Sequence, residues 1–213
     1  MESAVQISRI INEPISSNCY ILHIKGLSEC IIVDPGTSDT SVIQNFLKQH
    51  ELHADYIILT HEHFDHIWGV NNLKEIYDCQ IVCSATCALH IIDKKKNLSL
   101  FYDQLGFECY QADLILEKVN YIITWNNIKL RFIQTPGHST GSICLVIDCF
   151  LFSGDTIIYD EKTVTKLPNS SRVELINTIE RLSNFIEYPC VVLPGHGEKF
   201  TIESREYLLE MEL

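Results

Sequence analysis

Directly after an apolar run, the segment Thr60-His61-Glu62-His63-Phe64-Asp65-His66 brings together three imidazoles and a carboxylate. With nine histidines in 213 residues, this pattern arises by chance in about one of a thousand such sequences, so the cluster needs a chemical reason. Neutral imidazole and carboxylate suit Zn²⁺ and also Fe or Mn, and a loop at a strand end can aim alternate side chains at different points. The bland alternative is a polar, exposed loop with fortuitous histidines. Three further segments offer the same donor types singly: Thr135-Pro136-Gly137-His138, Ser153-Gly154-Asp155-Thr156 and Leu193-Pro194-Gly195-His196-Gly197. Each alone is an ordinary turn signal. Together they add two His and one Asp, enough to complete two metal sites with His61, His63, Asp65 and His66.

These donors need strands that end at a common edge, and hydrophobic periodicity supplies them. Strands are expected near Val5 to Ile11, Cys19 to Ile24, Cys30 to Val33, Tyr56 to Leu59 and Gln80 to Cys83, with helices over Val42 to His50, Val70 to Tyr77 and around Thr86 to Ile92. A second half starts with strands near Ile128 to Gln134, Ser142 to Ile147 and Phe150 to Phe152. A helix follows over Val173 to Leu182, capped by Ser171, with an apolar face of Val173, Leu175, Ile176, Ile179 and Leu182. A strand from Cys190 to Leu193 and a helix from Ile202 to Glu210 close the chain. Strands followed by helix and strand, twice over, predict two sheets packed face to face with helices outside. No repeat or Pro-rich linker divides the chain, so residues 1–213 read as one domain.

Composition narrows the partners. Hydrophobic residues make up 46%, enough for a sizeable core, and the net charge of −12 repels a phosphate backbone, which argues against nucleic acid. The run Lys94-Lys95-Lys96 reads as a solvated loop. No window approaches the roughly 18 apolar residues of a membrane span, and the N-terminal residues alternate like a strand and lack the pattern of a signal peptide. Nine scattered cysteines, mostly inside apolar runs, fit reduced and buried thiols, so a soluble, cytoplasmic protein is expected. The spacing of Cys79, Cys83 and Cys87 matches neither a zinc ribbon nor a ferredoxin.

The ordered signature His-x-His-x-Asp-His, then His138, Asp155 and His196, resembles the metallo-β-lactamase-fold hydrolases. Asn18-Cys19-Tyr20 and Ile32-Val33-Asp34-Pro35-Gly36 look like that family's opening hairpin, and the resemblance spans about residues 5 to 200. It implies an α/β four-layer αβ/βα sandwich, with two mixed β-sheets, helices on the outer faces and two divalent metals at the sheet edges. Carried onto this chain, it gives His61, His63 and His138 one ion and Asp65, His66 and His196 the other, with Asp155 bridging. Zn is the expected metal, with Fe or Mn as alternatives. Two such ions lower the pKa of a shared water toward about 7, so hydroxide would be the nucleophile, with Asp65 as the catalytic carboxylate that orients it.

Within that superfamily, Gly137-His138-Ser139-Thr140-Gly141-Ser142 and Gly154-Asp155-Thr156 are similar to the glyoxalase II group, which hydrolyses acylglutathiones. A small thioester substrate is therefore implied. The chain departs from that group in having 17 residues after His196, where glyoxalase II carries a helical domain that holds glutathione. It also lacks a Gly-rich loop after Asp155. Tyr159 and Lys166 of that loop could meet an anionic substrate, and Asp34 could either support a ligand by hydrogen bond or serve as a turn residue. His23, His50, His53 and His90 read as surface or core histidines. Two other functions stay open: a persulfide dioxygenase-like oxidoreductase with one iron on His61, His138 and Asp155, and a hydrolase of other esters or lactones.

Overall fold

The structure, a computed structural model, describes residues 4–159 and 162–212. Residues 1–3, 160–161 and 213 lie outside the described residues, and with them the first positions of the N-terminal reading and Asp160 and Glu161 of the loop after Asp155. Strands β1 (Val5–Ile11), β2 (Asn18–Ile24), β3 (Glu29–Val33), β4 (His53–Ile58), β5 (Gln80–Ser84) and β6 (Leu114–Leu116) form one sheet in that order. Strands β7 (Asn120–Trp125), β8 (Ile128–Gln134), β9 (Ile143–Ile147), β10 (Phe150–Gly154), β11 (Cys190–Pro194) and β12 (Phe200–Ile202) form the second. Both sheets are mixed. Each parallel step needs a long crossover, and helices α1 (Ser41–Gln49), α3 (Val70–Tyr77), α4 (Ala85–His90) and α6 (Arg172–Ser183) lie in those crossovers. Short helices α2 (Phe64–Ile67) and α5 (Ser99–Asp103) and the C-terminal α7 (Arg205–Glu212) complete the set.

Strand alternation builds the layers. In β3, Ile31 and Val33 face the second sheet, whereas Cys30 and Ile32 face the helices. In β9, Leu145 and Ile147 point between the sheets, and Cys144 and Val146 point to α6. The layer between the sheets takes Tyr20, Leu22 and Ile58 from one side and Phe132, Phe152 and Leu193 from the other. Ile43 and Leu47 of α1 with Leu73 of α3 cover one outer face, and Leu175, Ile179 and Leu182 of α6 cover the other. Each such Ile or Leu contributes roughly 1.5–3 kcal/mol over its exposed state. The expected four-layer sandwich of two mixed sheets with outer helices is the observed architecture.

Several element readings need correction. Val173 is 68% exposed, because two residues before Leu175 is the opposite side of a helix; Ser171 does cap α6, accepting from Glu174 N at 3.3 Å. Ile202 lies on β12 opposite Cys190, so the last helix begins at Arg205. Strands β6 and β7 and helices α2 and α5 were not anticipated. The β7–β8 hairpin turns on Asn126 and Asn127 at φ 46° and 66°, a two-residue turn that asparagine tolerates.

Candidate metal centre

The donors converge because strands from both sheets end at one edge. His61 and His63 follow β4, Asp65 and His66 ride the first turn of α2, His138 follows β8, Asp155 follows β10 and His196 follows β11. Ile143 N donates to the carbonyl of Thr60 at 2.8 Å, tying the second sheet to the histidine motif. Glycine is required where backbone and ligand crowd. A Cβ on Gly195 would collide with Asp155 Oδ1 and would stand 2.8 Å from His66 Cε1, and one on Gly36 would strike the Asp65 carbonyl. Ser17 Oγ donates to that same carbonyl.

Two donor groups result. His61, His63 and His138 offer one ligand atom each within 4.8 Å of one another, and so do Asp65, His66 and His196. Asp155 stands between them. Its Oδ2 is 3.5 Å from His138 Nε2 and 3.6 Å from His196 Nε2, and its Oδ1 is 3.6 Å from His66 Nε2. Asp34 also comes within 4.8 Å of His61 and His66 donor atoms. Its oxygens are already engaged, however: Oδ1 accepts from Thr60 N at 2.8 Å, and Oδ2 accepts from Thr60 Oγ1 at 2.6 Å and from His66 Nδ1 at 3.0 Å. Of the two readings of Asp34, the geometry shows its hydrogen bond to the candidate donor His66, on a turn-like backbone at φ 52°.

This network sets the tautomers. Thr60 has one hydroxyl proton and gives it to Asp34, so at 3.0 Å His61 Nδ1 donates to Thr60 Oγ1 and His61 Nε2 keeps a bare lone pair. By the same logic, His138 Nδ1 donates to Val164 O at 3.0 Å, His196 Nδ1 to Ser16 O at 3.2 Å and His66 Nδ1 to Asp34. All four Nε2 atoms then turn inward. His66 Nε2 and His196 Nε2 face each other at 3.3 Å, a distance that lone pairs sustain only with a proton or cation between them. His63 Nδ1 and His138 Nε2, 3.0 Å apart, can share one proton. His61 Nε2 and Asp155 Oδ1 are buried without any hydrogen-bond partner. Buried polar atoms are nearly always satisfied, so these two acceptors call for a donor or a cation between them. The donor set, five imidazoles and two carboxylates, fits divalent metal ions.

The electrostatics divide the same way. Burial, followed by the neighbouring imidazoles, pushes His61 well below its ordinary pKa and brings His63 down to about 4. For His66 burial works in the same direction, but Asp155, Asp65 and Asp34 outweigh it and raise the imidazole to about 10. His196 is raised against its burial by Asp65 and Asp155. Burial would raise Asp65, yet His66 and His196 hold it well below the usual carboxylate range.

Seven sequence-predicted donors therefore come together. Tyr159 and Lys166 do not join them: Tyr159 is 51% exposed with its ring 5.2 Å from Phe200, and Lys166 is exposed, two residues from Val164. Sequence reasoning missed Glu62; His90, read as a surface or core histidine, is half-buried and belongs to no donor group. The Glu62 carboxylate, buried between His61 and His63, accepts from His90 Nδ1 at 2.8 Å and from Ser139 Oγ at 2.9 Å. It thus fastens the first two donors to the residue after His138. A glutamate flanked by two inward-facing histidines was the available signal, since buried carboxylates need partners. Eight cysteines are buried and Cys149 is exposed. Among the described residues no helix is long and apolar enough to cross a membrane.

Comparison with known proteins agrees with this architecture. The family profile described as "Metallo-beta-lactamase superfamily" matches residues 12–196. The chain is 31% identical over 188 residues to the "Probable polyketide biosynthesis zinc-dependent hydrolase BaeB" of Bacillus velezensis, covering 86% of this chain and 75% of that one. It is 31% identical over 198 residues to a "Probable metallo-hydrolase" of Methanocaldococcus jannaschii, covering 86% and 88%. Among solved structures it is similar to the BLEG-1 B3 metallo-beta-lactamase, with TM-score 0.85 and 26% identity over 97% of this chain and 96% of that one.

Proposed function

The chain belongs to the metallo-beta-lactamase superfamily, and we propose that within this family of metallo-hydrolases it hydrolyses thioesters with two divalent ions. His61, His63 and His138 would hold one ion and Asp65, His66 and His196 the other, with Asp155 touching both. Zn²⁺ is the proposed metal: imidazole-rich sites suit it, and one relative is named zinc-dependent. Fe or Mn would also fit the carboxylates. When bound, the ions supply Lewis acidity toward a carbonyl and a hydroxide nucleophile at neutral pH.

The protein's own part is orientation. Asp34 fixes the rings of His61, through Thr60, and of His66 directly, so both present Nε2 inward. Glu62 holds the His61–His63 segment and the His138 loop at a set separation. Asp65, kept ionised by His66 and His196, is the carboxylate able to accept a hydrogen bond from the attacking water and orient it. Lys166 and Tyr159 remain proposed contacts for an anionic substrate. We infer one domain over residues 1–213, because the core between the sheets draws on both halves.

The observation that most supports this reading is the pair of buried orphans, His61 Nε2 and Asp155 Oδ1, inside a ring of inward-facing donors. Metal analysis of the purified protein, with turnover on the same sample against thioesters, lactones and glutathione persulfide, tests it. Two metals with thioester hydrolysis is the expected result. One tightly bound iron with persulfide oxidation would replace it with the dioxygenase reading.

A further inference from the structure

Beside the donors lies an aromatic surface that the proposed chemistry leaves unused. Phe64 is bonded on one side to His63 and on the other to Asp65. Its ring stacks on Tyr102 at 4.8 Å and lies 5.8 Å from Trp68. Trp68 stacks in turn on Phe107 at 5.5 Å with an interplanar angle of 12°. Phe64, Trp68 and Phe107 are half-buried, while Tyr102 is 44%, Phe101 69% and Leu105 75% exposed, so apolar side chains stand open to solvent on this side of the donors.

The surface is held in place. Phe64 N donates to Asn97 O at 2.9 Å. The buried Asn97 donates to Phe107 O at 2.8 Å and accepts from Ser99 N at 2.9 Å. Asp103 Oδ1 accepts from Leu105 N at 2.9 Å and Gly106 N at 2.8 Å, and Lys94 Nζ donates to Leu105 O at 3.3 Å. Apolar side chains displayed on a pinned backbone form a preorganised binding surface, which loses little entropy when covered.

We propose that Phe64, Trp68 and Tyr102 form a shelf that receives the apolar acyl chain of the substrate, so that the preferred class is medium-chain acyl thioesters. The inference rests on the hydrolase reading of the adjacent donors. Its occupant follows from position: Phe64 is the residue between the donors His63 and Asp65, so an acyl chain that ran from a carbonyl held by them over Phe64 would next meet Tyr102, which stacks on it. A shelf covers one side of a methylene chain, so each added methylene should raise kcat/KM by about twofold, well below the effect of an enclosing pocket.

The test uses the zinc-reconstituted 213-residue protein and straight-chain acyl thioesters of one small thiol, N-acetylcysteamine, from acetyl to octanoyl. From butyryl to octanoyl, kcat/KM is expected to rise about 16-fold, at about twofold per methylene, and Tyr102→Ser should reduce the rise to within about threefold. A flat series in the unaltered protein overturns the shelf. A binding readout separates this from failure of the hydrolase reading: straight-chain carboxylates from butanoate to decanoate are titrated against Trp68 fluorescence in a Trp125→Phe background, which leaves a single indole. Affinity that grows with chain length and is lost in Tyr102→Ser supports the shelf even if no thioester turns over; thioester turnover with no length dependence in either assay refutes the shelf alone. Sedimentation is the third arm. A dimer that Leu105→Glu dissociates would show that a second copy covers this surface, and would also overturn the proposal.

Discussion

The two donor groups differ in charge, burial and proton affinity. His61, His63 and His138 are buried imidazoles with 1%, 5% and 4% exposure, and no carboxylate belongs to their set. Asp65, His66 and His196 include one, and the His196 side chain is 28% exposed. In the metal-free protein His61 and His63 have had their proton affinity suppressed, so they stand ready for a cation at neutral pH. His66 is instead a proton holder, since three carboxylates surround it. The same ligand chemistry thus yields one group preset for metal and one in which metal must displace a proton. The lesson is that nearby carboxylates decide which imidazoles wait empty.

Breaking both groups at once should have the largest effect. Asp155 faces His138 from one group and His66 and His196 from the other, so Asp155→Ala is expected to lower metal content at both and cut turnover by about 100-fold or more. Full retention of both ions in that variant would show that Asp155 does not join the groups. His196→Ala should empty mainly the second group, reducing bound zinc from about two ions to about one, whereas His61→Ala should mainly deplete the first. Elemental analysis of the pair reads this directly; equal losses in both variants would erase the distinction.

Asp34 sharpens the comparison because it serves one donor in each group. Asp34→Asn keeps the shape but removes the charge that orders Thr60 and His66, and metal affinity should fall by about 10–100-fold in both groups. Competition with a chromophoric chelator measures it, and a loss confined to one group would mean that one of the two hydrogen-bond paths is idle. pH separates the two groups without any substitution. Below about 10, His66 must release its proton to bind metal, so second-group affinity should rise about tenfold per pH unit between 6 and 9. First-group affinity should be nearly flat there, because His63 is neutral above about 4. Parallel slopes would contradict the electrostatic division.

How much of this was legible in the sequence depended on distance along the chain. His61, His63, Asp65 and His66 are visible because one loop carries them all. His138, Asp155 and His196 look like turn residues singly and gain meaning only as strand ends that share an edge. Asp34 was ambiguous, since its role is set by Thr60, far along the chain, and by a left-handed backbone at φ 52° that nothing in the local sequence announces. The pairing of Glu62 with His90 was not legible because it joins a loop to α4. Strand β6, three residues long, and the edge strand β7 offer too little apolar periodicity to be read.

Seven side chains are proposed to form two distinct sites for divalent metal on one chain. Zinc titrated into metal-free protein at pH 8, followed by dialysis and elemental analysis against protein concentration, tests it most directly. About two zinc ions per chain, the second lost first as pH is lowered, is the predicted result. Saturation at one ion per chain with zinc in excess would contradict it.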